Sequence, residues 1–414
     1  MPAIFENKRI LLGVTGSIAA YKAADLASKL AQSGAQVEVV LTQSALQFVT
    51  PLTFQSVTGR RAFLDSDLWG SEGHVLHIGL ARNADLLVIA PATANTIAKL
   101  AHGIADNLLT LTVLASACPV LVAPAMDGGM YLHPATRENI EILKRRGLVF
   151  IGPAEGHLAS GLSGIGRMVE PADILGHMRH ALSREGILKN RRIVVTAGGT
   201  QEPIDPVRSI VNRSSGKQGY ALAQAALDRG ANVTLISAPT QLPVPTGAHL
   251  VEVVTADEML LAVKQEIPNT DALIMSAAVA DFKPAAASSQ KFKRREGPLK
   301  IQLEPTRDIL QEVAEFKSKS GFPRIIVGFA AESQMLKENA REKLERKCLD
   351  LIVANDITAV DAGFAVDTNR VILLDAQGGE EVLPLMTKSE VAEIVLERIV
   401  VLLGLGYNID QLPD

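Results

Sequence analysis

The amino-acid sequence predicts an α/β protein built as two tandem doubly wound, Rossmann-like domains, and three observations carry the prediction. The chain has 414 residues, beyond the roughly 250 to 300 at which one core usually splits into two. A strand, a glycine turn and a helix open the chain as "KRILLGV", "TGS" and "IAAYKAADLASKLAQSG", with "AQVEVVLT" as the next strand. The same order recurs in the second half as "RRIVVTAGG", a loop, "GKQGYALAQAALDRG" and "ANVTLISAP". The remaining apolar runs end in small or polar residues, and in open parallel sheets ligands bind beyond the carboxyl ends of the strands.

Composition agrees with this class. A hydrophobic fraction of 47%, with 32 glycines and one tryptophan, fits buried parallel strands rich in Val, Ile and Leu. A net charge of -4 argues against a general nucleic-acid binder. The longest apolar stretches, "LTLTVLASACPVLVAPAM" and "EIVLERIVVLLGLG", are interrupted before the roughly 18 apolar residues of a membrane span. The start "MPAIFENKRILLGV" lacks the basic region and cleavage pattern of a secretory leader, so the expected location is the cytoplasm. Two cysteines, Cys118 and Cys348, provide neither the number nor the spacing of a disulfide framework or zinc site; they read as buried or incidental thiols.

In order along the chain, "ADLLVIAPAT" and "CPVLVAPAM" read as further buried strands of the first half, and "ALIMSAAV", "RIIVGFAAE" and "LDLIVAND" as those of the second. Between the halves, "HMRHALSREGILKNRR" reads as a charged helix followed by a short connection, which places the boundary near Gly186. The expected domains are therefore 1–186 and 187–414. The most loop-like stretch is "AAASSQKFKRREG".

In the first half, "GVTGSIAAYK" sets Gly13, Gly16 and Ser17 at the mouth of a helix, where free amides and the helix dipole favour an anion. The dinucleotide fingerprint G-x-G-x-x-G is absent. The second strand ends in Thr42 and Ser44 rather than in an acid for a ribose diol, which favours a mononucleotide over NAD. After the next strand, Thr93, Asn95 and Thr96 can read the polar edge of a flat ring. The plain alternative for Ser17, Thr93 and Asn95 is helix capping, with "TIAKLAHGIADNLL" as the helix. Farther on, "PAMDGGMY" puts Asp127 at the end of an apolar strand, where a carboxylate is costly unless it lies at a rim or in a site.

"PATANT", preceded by "HIGLA" and followed by "PAMDGGMY", resembles the signature set of the homo-oligomeric flavin-containing cysteine decarboxylases, a flavodoxin-like family. Its PASANT and P-x-M-N-x-x-M motifs line an FMN site. The resemblance implies FMN contacts at Gly16, Ser17, Ile18, Thr42, Ser44, Pro91, Ala92, Thr93, Asn95 and Met126, and a catalytic role for His77. It implies trimers, with FMN and catalytic residues at subunit interfaces. Two positions depart from the pattern: Asp127 stands where an Asn commonly holds the substrate carboxylate, and in "GHLASGLSGIGRM", similar to the family's flexible clamp, Ser160 takes the place of a cysteine thought to supply a proton. A protonated Asp127 would donate a hydrogen bond as the amide does, and the joint departure of Asp127 and Ser160 reads as a matched alternative pair in which the carboxylic acid is the proton source.

In the second half, "TAGGTQEPIDPVRSIVNRSSGKQG" is not a Walker A loop, although a long polar loop entering a helix can hold phosphates through backbone amides and Arg208. "SAAVADFKP" ends a strand with Asp281, and "KFKRRE" supplies Lys291, Lys293, Arg294 and Arg295. That basic run is either a solvated loop or a mobile cationic loop that neutralises charge when a carboxylate attacks a phosphate. "DPVR", "NRSSGK", "SAAVADF", the K-x-K-R run, "VGFAAES" and "LDLIVAND" resemble the phosphopantothenate-cysteine ligases. The resemblance implies that Asn212 acts on an acyl-cytidylate and that Lys291 helps form it. It places CTP on Ala277, Ala278, Asp281, Asp308, Ile309, Phe329, Lys343 and Lys347, with Arg208 toward substrate; Lys343 and Lys347 read alternatively as an exposed helix face.

Together the two halves are similar to the fused decarboxylase and ligase family of coenzyme A synthesis. The implied reactions are coupling of 4'-phosphopantothenate to L-cysteine with CTP and Mg²⁺, then FMN-dependent decarboxylation of 4'-phosphopantothenoylcysteine to 4'-phosphopantetheine. The metal ligands are left unassigned. Trimers through the flavin half and dimers through the ligase half would combine in a dodecamer. Two other classes compete: an active ligase carrying a flavin domain with altered or absent decarboxylase activity, and an NAD-dependent oxidoreductase, against which the missing fingerprint argues.

Overall fold

The computed structural model describes residues 3–69, 76–159, 161–293, 300–332, 335–356 and 367–405. Contacts divide the chain into two compact units, Met1–Ser183 and Arg184–Asp414. Each unit is a twisted sheet with helices on both faces.

The sheet of the first unit contains β1 (Arg9–Val14), β2 (Gln36–Leu41), β3 (Ala62–Leu64), β4 (Leu86–Ala92), β5 (Val120–Pro124) and β6 (Val149–Phe150). All its pairs are parallel, in the order β3-β2-β1-β4-β5-β6. The helices are α1 (Ala20–Gln32), α2 (Pro51–Thr58), α3 (Leu76–Asn83), α4 (Ala94–His102), α5 (Leu108–Ala115), α6 (Gly128–Leu132), α7 (Pro134–Arg145) and α8 (Pro171–Ser183). A hairpin of β7 (Ala154–His157) and β8 (Ser163–Arg167) stands outside the sheet.

Alternation along β1 supplies two cores. Ile10, Leu12 and Val14 pack with Ala23, Leu26 and Leu30 of α1, whereas Leu11 points to the opposite face with Ile97, Leu108 and Leu109. Each fully buried leucine here contributes about 1.5–3 kcal/mol. The strand order reverses between β1 and β4, so the crevice beyond their carboxyl ends is the natural ligand position.

One expectation about helices needs correction. "TIAKLAHGIADNLL" is not one helix: α4 ends at Gly103, whose φ of 69° is left-handed, and α5 restarts behind a reciprocal cap between Asn107 and Thr110. The charged helix before the second unit stops at Ser183, so "REGILKNRR" is largely turn and loop before the next strand.

The second unit contains β9 (Arg192–Ala197), β10 (Gln201–Asp205), β11 (Arg208–Val211), β12 (Asn232–Ser237), β13 (His249–Glu252), β14 (Ala272–Met275), β15 (Phe282–Pro284), β16 (Leu303–Pro305), β17 (Ile325–Glu332), β18 (Leu351–Asp356), β19 (Thr368–Asn369), β20 (Val371–Asp375), β21 (Glu380–Val382) and β22 (Met386–Thr387). The helices are α9 (Lys217–Asp228), α10 (Ala256–Glu266), α11 (Ile309–Ser320), α12 (Leu336–Arg346) and α13 (Lys388–Leu402). The main sheet runs β13-β12-β9-β14-β17-β18-β20-β21; its first six strands are parallel and the last two join antiparallel. Ile193, Val195 and Ala197 face α9 and α13 on one side, while Val194 faces α10 on the other. No helix among the described residues is long and apolar enough to cross a membrane.

Candidate functional site

The first unit holds a cavity of about 850 Å³ beyond the carboxyl ends of β1, β2, β4 and β5. Gly16, Ser17 and Ile18 form its wall after β1; Thr42 and Ser44 follow β2. Thr93 and Asn95 enter from the start of α4, and Met126, Asp127 and Met130 from the segment after β5.

Short polar links fix these loops. Thr15 donates its hydroxyl to the Pro91 carbonyl at 2.8 Å and accepts from the Thr93 amide at 3.1 Å, tying β1 to β4 at the switch point. Thr93 caps α4 by accepting from the Thr96 amide at 3.4 Å, so capping and cavity lining coincide in one residue. Gly16 has no room for a side chain: a Cβ there would lie 2.5 Å from the Ser44 Cβ. Close approach of two polar loops leaves a cradle of hydroxyls and amides suited to a phosphate and a flat ring.

Asp127 caps the short helix α6, accepting from the Gly129 amide at 2.9 Å. The strand-end carboxylate is thus at a half-buried rim, where capping accounts for part of its placement. The Met126 amide donates to the Gly166 carbonyl at 3.0 Å, attaching the β7–β8 hairpin to this rim. Ser160, between the two hairpin strands, lies outside the described residues.

Pro91 and Ala92 are buried within β4, behind the lining. His77, in α3, does not line this cavity; its Nδ1 is buried without a hydrogen-bond partner among the described residues. Lys22 was not legible as a site residue. It is 5% exposed in the cavity wall, and donates to the Met168 carbonyl at 3.0 Å and to Glu170 at 2.8 Å. The lysine holds the Glu170 carboxyl below its usual range. Its position on the apolar stripe of α1, between Ala20 and Leu26, was the available signal.

A second cavity, about 640 Å³, lies at the carboxyl ends of β14, β17 and β18. Asn212 borders it and donates its amide to the Val279 carbonyl at 3.0 Å. Ala277, Ala278 and Asp281 line it from the loop after β14; the Ala277 amide is held by the Thr196 hydroxyl at 3.1 Å and the Ala278 amide by the Gly198 carbonyl at 2.8 Å. Asp308 and Ile309 contribute the start of α11, with Asp308 as its cap. Phe329, Lys343 and Lys347 complete this side. Lys347 pairs with Asp308, and burial pushes its ammonium pKa down. Lys343 and Lys347 therefore face the cavity rather than only solvent.

Arg208 and Lys291 are not among the lining residues. Arg208 donates to the Phe292 carbonyl at 3.2 Å, while the fully buried Asp205 side chain accepts from the Val207, Arg208 and Phe292 amides. Burial acts upward on the Asp205 carboxyl, but these amides win and hold it below its usual range. The exposed Lys291 is thereby fastened beside β11; Arg294 and Arg295 of the same basic run lie outside the described residues. Among the described residues no cluster of three or more His, Cys, Asp or Glu is arranged to hold a metal. Cys118 is half-buried, and burial raises its thiol pKa; Cys348 is exposed.

Lys217, Gln218, Asn355, Asn369 and Lys388 also border the second cavity; Lys217 and Asn355 stand in "NRSSGK" and "LDLIVAND", but none of the five had an assigned role. For two of them the signal was positional: Lys217 and Lys388 are the first residues of α9 and α13, the helix end that disfavours a cation.

Comparison with known proteins accounts for both halves. Residues 4–183 match the family described as flavoprotein, and residues 188–402 match the DNA/pantothenate metabolism flavoprotein C-terminal domain. The coenzyme A biosynthesis bifunctional protein CoaBC of Bacillus subtilis (strain 168) is 46% identical over 96% of this chain and 98% of its own length. That of Mycobacterium tuberculosis (strain ATCC 25618 / H37Rv) is 43% identical over 96% and 97%. A solved C-terminal domain of a CoaBC protein shares 40% identity over 53% of this chain and 99% of its own, with a TM-score of 0.45. With both halves matched in one order and relatives aligned nearly end to end, the chain belongs to the family of coenzyme A biosynthesis bifunctional proteins.

Proposed function

We propose that the second unit couples 4'-phosphopantothenate to L-cysteine at the expense of CTP, and that the first decarboxylates the product, 4'-phosphopantothenoylcysteine, to 4'-phosphopantetheine with FMN. The observation that carries this reading is the pair of cavities, one in each unit, each at the strand ends where the two motif sets converge.

In the second unit a carboxylate must become an electrophile. Attack of the 4'-phosphopantothenate carboxylate on the α-phosphorus of CTP forms an acyl-cytidylate and releases pyrophosphate; attack by the cysteine amine then forms the amide and releases CMP. Mg²⁺ enters with CTP as substrate, with Asp281 as a carboxylate on its path, in keeping with the few protein ligands magnesium usually takes at phosphates. Lys343 and Lys347 neutralise the phosphates, Ala277, Ala278, Ile309 and Phe329 seat the nucleoside, and Asp308 positions Lys347. Asn212 orients the acyl-cytidylate, while Lys291 brings positive charge as it forms; Arg208 holds the segment that carries it.

In the first unit the cradle beside Gly16 fits FMN. Ser17, Thr42 and Ser44 supply neutral donors to its phosphate, with Ile18 beside them. Thr93 and Asn95 reach the ring edge, Met126 packs on the ring, and Pro91 and Ala92 back the site from β4. Bound FMN supplies the two-electron redox chemistry that makes the cysteinyl carboxylate able to leave as CO₂. Asp127, protonated, donates to the substrate carboxylate and, with Ser160, holds the proton that returns to the product. His77 acts from a neighbouring subunit, a reading supported by its absence from its own chain's cavity. The assembly is a trimer through the flavin half and a dimer through the ligase half, together a dodecamer in the cytoplasm.

Incubation with 4'-phosphopantothenate, cysteine, CTP and Mg²⁺, followed by product masses, tests the whole reading: both 4'-phosphopantothenoylcysteine and 4'-phosphopantetheine are expected, and absence of both refutes it. The coupled product without CO₂ release would instead mark a flavin unit without decarboxylase activity. Asp127→Asn and Ser160→Cys, made singly and together, test the proton pair. Their effects on decarboxylation should be non-additive by about 0.5–3 kcal/mol, and additive effects overturn the pairing.

A further inference from the structure

At the end of the second cavity bordered by α9 and α13, two amide oxygens have no hydrogen-bond partner among the described residues. They are Asn355 Oδ1 and Asn369 Oδ1, both buried, on residues that line the cavity. Asn369 is 4% exposed, and an unused acceptor at that depth carries an uncompensated desolvation cost. Asn355 of β18 stands opposite Val371 of β20, and Asn369, in β19, precedes Val371 by two residues.

The orientation of Asn369 is fixed by a relay. The Lys388 carbonyl can only accept, and Gln218 donates to it through Nε2 at 3.1 Å. Gln218 Oε1 must then face Asn369, which donates to it through Nδ2 at 3.0 Å. Asn369 Oδ1 is consequently turned away from the relay as a pure acceptor. A ligand satisfying Asn369 must bring hydrogens, as an amine does.

Positive charge of the protein's own lies beside them. Asn369 pairs with Met386 across β19 and β22, two residues before Lys388. Lys388 is 7% exposed, and burial, followed by the neighbouring Lys217, lowers its pKa while Asp367 opposes the shift. Lys217 donates to Asp367 at 2.6 Å. Two lysines at the opening turns of two helices weaken those helices, and an anion between them relieves that cost.

We infer that this end of the cavity is the amino-acid subsite of the ligase: Asn355 and Asn369 accept hydrogen bonds from the α-amine, and Lys388, backed by Lys217, binds the α-carboxylate. The inference rests on the ligase reading above. It separates the two half-reactions in space, with the nucleotide held by Lys343 and Lys347 and the incoming nucleophile by Asn355, Asn369 and Lys388. When the amine attacks, its nitrogen bonds to the acyl carbon, the carbon–oxygen bond to CMP breaks, and the amine's surplus proton leaves to water.

The test uses the full-length protein as Asn369→Leu and Lys388→Met, each checked by circular dichroism and thermal unfolding. Pyrophosphate release from CTP and 4'-phosphopantothenate without cysteine reads the first half-reaction; amide formation against cysteine concentration reads the second. In Asn369→Leu the cysteine KM should rise about tenfold or more relative to any change in pyrophosphate release. In Lys388→Met the preference for cysteine over cysteamine, which lacks the carboxylate, should fall about tenfold or more. If Asn369→Leu does not fold, Asn369→Asp, which keeps the acceptor and gives up the relay donor, should retain cysteine KM within a fewfold, and Lys388→Met decides the subsite.

An unmoved cysteine KM in Asn369→Leu with unmoved selectivity in Lys388→Met overturns the inference. So does loss of pyrophosphate release with a raised KM for 4'-phosphopantothenate, which would give this end to the phosphate of the acyl substrate. Absence of pyrophosphate release in the unaltered chain refutes the ligase reading itself, whereas normal release beside an unmoved cysteine KM refutes only the subsite.

Discussion

The two cavities occupy equivalent places in their sheets yet treat charge in opposite ways. Among the described residues, the first is lined by three basic side chains, Lys22, Lys99 and Arg167, against three acidic ones, Asp65, Asp106 and Asp127. Its cations are engaged internally: Lys22 and Arg167 meet Glu170, and Lys99 meets Asp106. The second is lined by seven basic side chains, including Lys217, Lys343, Lys347 and Lys388, against Asp281 and Asp308. A resident cofactor can be held by close fit and neutral donors, whereas the triphosphate proposed for the second cavity, which would arrive, lose pyrophosphate and leave as CMP, would need a field. The shared fold thus constrains where each ligand binds, and the side chains at the strand ends determine by what physics.

The largest effect that would sharpen this contrast is expected from Gly16→Val. With a Cβ only 2.5 Å from that of Ser44, the two loops must separate, and purified protein should lose at least about nine-tenths of its flavin absorbance, an affinity loss of 1.4 kcal/mol or more. Pyrophosphate release by the other unit should stay within about twofold. Retained flavin would show that fit at this turn is not what holds the cofactor.

A field-based site predicts a smaller, salt-sensitive loss. In Lys347→Met, kcat/KM for CTP should fall roughly 10- to 100-fold, the worth of one charge-assisted hydrogen bond, and should depend less steeply on ionic strength than in the unaltered protein. An unchanged CTP dependence would remove Lys347 from the nucleotide site.

The smallest effect concerns the internal pairing of the first cavity. Lys22 lowers the folded-state pKa of Glu170 below its ordinary value of 4.5. The pair therefore stabilises fully above that value, and its contribution disappears as pH falls through the lowered pKa. Glu170→Gln should destabilise the flavin unit by less than about 1 kcal/mol at neutral pH, because the carboxylate is half exposed and screened. Urea titrations should find the difference shrinking below pH 4.5; a difference constant across that window would mean that charge is not its source.

How much of this was legible depended on whether a residue acts through its neighbours in sequence or across the fold. Period-two apolar runs such as "RILLGV" and "RIVVTA" mark strands because alternation is local. Thr93 was visible as a candidate site residue because it stands at a strand-to-helix junction, where a cap and a ligand contact require the same side chain; Asp308, also a helix cap, came only from the ligase resemblance. The break at Gly103 was missed because a continuous amphipathic pattern conceals a single left-handed glycine. Asn355, Asn369 and Lys388 could not be found in this way: they meet only through the antiparallel addition of β20 and the β19–β22 pair. Asp205 was visible only as part of "DPVR", and only the folded chain brings Phe292 to it.

The reciprocal cap at the start of α13 links folding to specificity. Thr387 and Glu390, one residue before and two after Lys388, cap each other's backbone, so the motif that starts the last helix also fixes the backbone of the lysine that borders the cavity. On the subsite inferred above, loosening this helix would blur the choice of nucleophile, and because α13 also buries Val391, Val395, Leu396 and Ile399 in the core, a chain shortened before it would lose the packing of the unit together with that choice.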